Sequence, residues 1–151
     1  GVFLDERAGQ VKRVAGLDIS DIQVRLARRR LADRVAAGSA EIVKGDALAL
    51  PWNDEAFSAA TCMGSMEYIS DPTVALLEMR RVLRPGGRLV ISYGMDASQS
   101  DFVRQMERWG IPNPSEEEAR KLVEDAGFSL VSVQYLEGDY PVRFISGVKP
   151  E

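Results

Sequence analysis

The sequence predicts a three-layer α/β fold built on a mostly parallel sheet. Three observations carry this. Short apolar runs alternate with segments of helical periodicity along most of the chain. Residues 76–92, LLEMRRVLRPGGRLVIS, join a helix to a buried strand through a hard stop. The last two apolar runs lie five residues apart and read as an antiparallel pair.

The elements follow in order. Residues 2–10 are compatible with a short helix. Residues 14–19, VAGLDI, read as a buried strand ending on an acid. Ser20, with Gln23 three positions on, forms a capping box opening a helix over residues 21–37, and Gly38 ends it. Residues 41–44 form the next strand, closed by Gly45 and Asp46. Residues 47–55 are a loop carrying Pro51 and Trp52, residues 57–63 a strand, and residues 64–70 the loop after it. Asp71-Pro72 starts the next helix, with proline at the favoured first position. Leu76, Leu77, Met79, Val82 and Leu83 give that helix an apolar face. Pro85 cannot continue it, and Gly86-Gly87 supply left-handed backbone for the turn. Leu89, Val90 and Ile91 lie in a strand over residues 88–93, apolar enough to be buried on both sides.

Residues 96–114 are the least regular part, with a helical pattern over residues 101–109 broken by Ile111-Pro112-Asn113-Pro114. Ser115 and Glu118 form a second capping box, with Glu116 and Glu117 facing the positive helix end. Gly127 ends that helix. Residues 128–136 and 142–148 are strands joined by a hairpin loop at 137–141. The 151 residues read as a single domain, without an internal repeat or low-complexity tract.

Composition narrows the function. The net charge of −4 argues against nucleic acid as a partner, since phosphate binding wants a basic surface. The arginines at 25, 28, 29, 30 and 34 read as one solvated helix face. No apolar run approaches the roughly 18 residues of a membrane span. Cys62 is the single cysteine and histidine is absent, so an internal disulfide and a Cys/His zinc site are both excluded. A reducing cytoplasm is the expected compartment.

The stretch LLEMRRVLRPGGRLVIS resembles the segment leading into the fifth strand of class I S-adenosylmethionine-dependent methyltransferases, the small-molecule group called methyltransferase type 11 in particular. PWNDEAF at residues 51–57 resembles that family's lead-in to its fourth strand. The resemblance implies a Rossmann-like methyltransferase sheet closed by an antiparallel hairpin. It also implies S-adenosyl-L-methionine as cofactor and a small-molecule acceptor as substrate; a homodimer is left open as an assembly. A non-catalytic binding or scaffold module on the same fold is the alternative. A nucleotide-sugar or NAD-dependent reductase would want a Tyr-x-x-x-Lys pair. Tyr68 is followed four positions on by Pro72, and Tyr93 by Ala97, so no such pair exists.

By the same resemblance, Asp18 accepts hydrogen bonds from the cofactor's ribose hydroxyls and Ile19 packs near its adenine. Asp46 bonds the adenine amino group, and the backbone amide of Ala47 meets a ring nitrogen. The bland readings are that Asp18 caps the following helix and that Asp46 makes a local turn bond. Met63 and Gly64 lie where the family meets the sulfonium. Glu67 and Tyr68 replace histidines common in the family. Glu67 is the first candidate for a general base or substrate clamp, with an exposed loop acid as its bland reading, and Tyr68 is the second candidate. Trp52 is either a lid or simple packing. Cys62 reads as a small buried hydrophobe rather than a nucleophile. Residues 93–96 are either pocket lining or plain loop.

The family's glycine-rich loop, D-x-G-x-G-x-G after its first strand, has no clear counterpart. In one alignment Gly1 is the last glycine of that loop, which places Asp18 at the ribose acid. In the other, residues 4–10 are a degraded loop with Arg7 where glycine is needed. The first alignment is favoured. It expects the first strand to be missing, two strand edges to lose their partner, and cofactor binding by this chain alone to be weak.

Overall fold

The computed structural model describes residues 9–95, 101–136 and 142–151. The expected helix at residues 2–10 falls almost wholly outside these, as do Gly1, residues 96–100 and the hairpin loop at 137–141. The chain divides into two compact units, the first ending at Pro51 and the second beginning at Trp52.

In the first unit, β1 (Val14–Asp18) and β2 (Ala40–Lys44) pair in parallel, with Asp18 opposite Lys44. Two helices connect them, α1 (Asp21–Arg30) and α2 (Ala32–Ala36). One helix over residues 21–37 was expected. The break falls at Leu31, whose ψ of 25° leaves the helical region. Leu31 is buried with Val24, Ala27, Ala40 and Ile42 in the unit's apolar cluster, and Val14 packs against it. Gly38 ends the segment at φ +68°, the left-handed conformation expected of a terminating glycine. Two of the clustered arginines hold backbone. Arg28 Nε donates to the Ile42 carbonyl at 2.8 Å, and Arg34 Nη2 donates to the carbonyls of Val11 and Lys12 at 3.0 Å each.

The second unit holds a four-stranded sheet in the order β3-β4-β6-β5. Here β3 is Phe57–Cys62, β4 Leu83–Met95, β5 Ser129–Leu136 and β6 Val142–Val148. The β3–β4 pair is parallel, and β6 runs antiparallel to both β4 and β5. The helices are α3 (Pro72–Val82), α4 (Asp101–Arg108) and α5 (Glu116–Asp125). Asp71 caps α3 by accepting from Val74 N–H at 3.0 Å, with Pro72 in the first turn. Both halves of the capping box at Ser115 and Glu118 form at α5. Among the described residues β1 pairs only with β2, and β3 only with β4, so each has one open edge.

The buried face of α3 is Ala75, Leu76, Met79 and Val82. Leu77 was expected there but is exposed, one position round the helix from Leu76. Leu89 and Ile91 of β4, Ile145 of β6 and Val123 of α5 are fully buried. Each such aliphatic side chain contributes about 1.5–3 kcal/mol when removed from water.

The stop between α3 and its strand differs from expectation. β4 begins at Leu83, directly after the helix. Phe57 pairs with Leu83, and Ala59 with Arg88. One residue of β3 thus faces four of β4, and Arg84, Pro85, Gly86 and Gly87 bulge out of an otherwise continuous strand. Gly86 sits at φ +71°. The C-terminal segment clamps the bulge: Gly86 N–H donates to the Lys149 carbonyl, Lys149 N–H to the Gly87 carbonyl, and Lys149 Nζ to the Leu83 carbonyl at 2.7 Å. The helix has already ended at Val82, and only Gly86 of the glycine pair is left-handed, so proline and glycine interrupt a strand where they were expected to stop the helix.

Candidate functional site

In the first unit the candidate residues gather at the carboxyl ends of β1 and β2. Ligands of open α/β sheets bind at such ends. Asp18 is half-buried as the last residue of β1. Its Oδ1 accepts from Ser20 N–H at 2.9 Å. Ser20 Oγ accepts from Gln23 N–H at 3.4 Å. The expected capping box is therefore half made, because the acid at 18, not Gln23, holds the cap residue's N–H. Asp18 Oδ2 has no hydrogen bond among the described residues. Ile19 beside it is 72% exposed, and β1 itself is half-buried along its length rather than buried as expected.

Asp46 lies two residues beyond β2. Its Oδ1 accepts from Leu48 N–H at 3.0 Å, the local turn bond anticipated as its bland reading, and its other carboxylate oxygen has no partner among the described residues. Ala47 is half-buried behind it. The register that places Asp18 opposite Lys44, together with the Gly45 N–H to Asp18 carbonyl bond of 3.1 Å, sets these residues at one end of one sheet.

In the second unit Met63 and Gly64 follow β3. Gly64 adopts φ +64°, and its N–H donates to Ser92 Oγ at 2.7 Å. Ser65 leads into a single 3-10 turn, Met66–Tyr68, within the stretch expected as plain loop. Met66 is buried, and the two residues after it differ in exposure. Tyr68 is 71% exposed. Glu67 is half-buried, and its Oε1 accepts from Gly94 N–H at 3.1 Å. It is neither an idle loop acid nor a free carboxylate: it ties the 3-10 turn to the end of β4.

Around that strand end lies a polar network that the sequence does not announce. Arg143 of β6 is only 4% exposed. Its Nη1 donates to the Pro114 carbonyl at 2.6 Å and to the Tyr93 carbonyl at 3.4 Å, and its Nε reaches Tyr135 Oη at 3.4 Å. The Tyr135 hydroxyl donates to Glu116 Oε2 at 2.6 Å. Asn113 Oδ1 accepts from Met95 N–H at 2.8 Å. Signals for these were faint: an arginine inside VRFIS and a serine inside LVIS, polar residues in apolar strands.

Cys62 ends β3, and burial together with the Glu67 carboxylate pushes its thiol up to about 11. That suits packing and not nucleophilic attack. Trp52 packs edge-on against Phe57 at 5.3 Å between ring centroids, which favours packing over a lid. Among the described residues no cluster of three metal-binding side chains occurs, and no helix is long and apolar enough to cross a membrane.

Comparison with known proteins matches these features to a family. The profile of the family described as a methyltransferase domain matches residues 1–91. The O-methyltransferase cnsE of Penicillium expansum is 33% identical over 125 residues, covering 80% of this chain and 45% of that protein. The ubiquinone/menaquinone biosynthesis C-methyltransferase UbiE of Pseudomonas putida is 29% identical over 167 residues, covering 94% of this chain and 65% of that protein. Among solved structures, phosphoethanolamine N-methyltransferase 2 of Haemonchus contortus, in complex with S-adenosyl-L-methionine, superposes with a TM-score of 0.80 at 16% identity, over 97% of this chain and 45% of that one. The 4+2 cyclase SpnF gives 0.78 at 21% identity, over 99% of this chain and 72% of that one. The last two show the fold alone, a Rossmann-like α/β sheet. The chain belongs to the methyltransferase-domain family. It spans about half to two-thirds of the length of the curated relatives described.

Proposed function

We propose that the chain serves S-adenosyl-L-methionine-dependent methyl transfer to a small-molecule acceptor. One observation carries the reading: a carboxylate, Asp18, with one oxygen unpartnered among the described residues, beside an isoleucine left in solvent, Ile19, at the ligand-binding end of a parallel strand pair. An acid and an exposed apolar side chain in sequence suit a nucleoside, which offers paired hydroxyls next to a flat ring. Asp46 and Ala47 add a second acceptor and a backbone donor at the neighbouring strand end. These four residues fit the nucleoside part of the cofactor.

In this reading Asp18 holds the ribose, Ile19 covers the adenine, and Asp46 with the Ala47 amide reads the adenine edge. Bound S-adenosyl-L-methionine supplies an activated sulfonium methyl, so the protein's main task is to hold a nucleophile in line and exclude water. Glu67 is the base or clamp for an acceptor whose oxygen or nitrogen must lose a proton, and Tyr68 is the second candidate. Oε1 of Glu67 is engaged with Gly94, so Oε2 is the atom left to take a proton. A cytoplasmic setting belongs to the same proposal, supported by the single free cysteine.

The test is Asp18→Asn. The amide oxygen still accepts from Ser20 N–H, so the turn is kept while the charge is lost. Binding of S-adenosylhomocysteine is expected to weaken about 10- to 100-fold, the worth of hydrogen bonds to a charged group. Unchanged binding would remove Asp18 from the site.

A further inference from the structure

An open pocket in the second unit is not used by the reading above. Pro72 at the start of α3, Tyr93 of β4, Pro112, Asn113 and Pro114 of the segment before α5, and Glu118 and Leu122 of α5 line it. It is a shallow, largely open depression of about 440 Å³, so a ligand there would stay partly in solvent. Three prolines and a leucine make its walls apolar, which leaves few polar groups to orient a ligand.

Two of these stand out. Tyr93 is only 6% exposed, yet its hydroxyl has no hydrogen-bond partner among the described residues. The ring is buried but the hydroxyl keeps contact with solvent, and Tyr93 is one of the residues lining this pocket. The second is Glu118, an exposed carboxylate and the one charged side chain among the described lining residues. Its Oε2 accepts from Ser115 N–H at 2.7 Å, completing the capping box, while Oε1 has no partner among the described residues. The Ser115 bonds hold this carboxyl below the usual range, so it is ionised at neutral pH. The buried cation Arg143 is turned onto the carbonyls of Tyr93 and Pro114 and is not among the described lining residues. The Tyr93 phenol is held above its ordinary value by burial first and then by the Glu67 and Glu118 carboxylates, so it stays a neutral donor or acceptor.

From this we infer that the pocket binds a small molecule through a protonated amine, which meets the Glu118 carboxylate and the Tyr93 hydroxyl while its apolar body lies on the prolines and Leu122. The ligand is assigned as the methyl acceptor or part of it, and that assignment rests on the methyl-transfer reading. The amine need not be the atom methylated. An anionic ligand would face a carboxylate with no cation among the described lining residues. A neutral ligand would leave that charge unmatched.

The experiment uses three probes of one shape: phenethylamine, 2-phenylethanol and phenylacetate. Binding is followed by NMR through the Tyr93 ring and the Asn113 side-chain amide. Phenethylamine is expected to shift both signals saturably, and phenylacetate to bind at least about tenfold more weakly. Glu118→Gln keeps the capping box, which accepts either residue, and is expected to weaken phenethylamine at least about fivefold. Equal binding of the three probes, no response to phenethylamine, or an unchanged Glu118→Gln affinity would each overturn the amine site. S-adenosylhomocysteine, followed at the Asp18 and Ile19 amides, tests the other reading separately. An amine response without any cofactor response overturns the acceptor assignment and leaves the pocket standing; the reverse overturns the pocket alone.

Discussion

Gly94 N–H donates to Glu67 Oε1 at 3.1 Å, so the carboxylate proposed for acceptor chemistry also fixes the end of β4. The two roles separate by substitution. Glu67→Gln keeps an oxygen for the Gly94 amide and removes the base. Methyl transfer is expected to fall by about 10²- to 10⁴-fold with stability nearly unchanged. Glu67→Ala leaves a part-buried amide unmatched and is expected to cost about 1–3 kcal/mol in chemical denaturation as well. A Glu67→Gln variant with full activity would reduce Glu67 to a strut.

Arg143 joins three segments by donating to the carbonyls of Pro114 and Tyr93 and to Tyr135 Oη. A lysine offers a point charge in place of a planar fork and cannot make these bonds together. Arg143→Lys is expected to lose about 1–3 kcal/mol, measured by urea unfolding. A variant as stable as the parent would show that the network is incidental.

Cys62 gives a chemical readout of burial at the end of β3. The reactive form is the thiolate. Moving the thiol from an ordinary 9.0 to about 11 predicts iodoacetamide labelling at pH 8 about 100-fold slower in the folded protein than in urea. The sign for stability follows. The folded-state value is the higher one, so the neutral thiol's contribution is present below pH 9.0 and is lost as pH rises towards about 11. Equal labelling rates folded and unfolded would contradict the burial.

The bulge in β4 predicts an order between adjacent glycines. A methyl at Gly86 meets only Glu151 Oε1 at 3.6 Å but must adopt φ +71°, a strain of about 1–2 kcal/mol. A methyl at Gly87 would lie 2.7 Å from the Arg84 carbonyl oxygen, so backbone must move. Gly87→Ala is therefore expected to lower the thermal midpoint more than Gly86→Ala. The reverse order would mean that the bulge yields easily.

The parts of the fold visible in the sequence are those set by local chemistry. Ser115 with Glu118, Asp71 with Pro72, and Gly38 and Gly127 all mark helix ends where expected, because a cap is decided within four residues. The break at Leu31 was not visible, since it depends on burying that side chain against residues distant in sequence. Pro85-Gly86-Gly87 read as a turn because the Lys149 bonds that hold it as a bulge come from the far end of the chain. For the candidate site, the strand-end acids were legible from their position after apolar runs. The Glu67–Gly94 tie and the buried Arg143 were not, because both partners of each contact look unremarkable alone and meet only through sheet order.

The central claim is that Asp18, Ile19, Asp46 and Ala47 receive the nucleoside of S-adenosyl-L-methionine. An amide-resolved NMR titration with S-adenosylhomocysteine tests it most directly, since it reports location even when affinity is low. Saturable shifts concentrated at residues 18–20 and 46–48, and reduced by Asp18→Asn, are the predicted result. A titration carried to millimolar ligand that leaves those amides unmoved, or moves others instead, would contradict it.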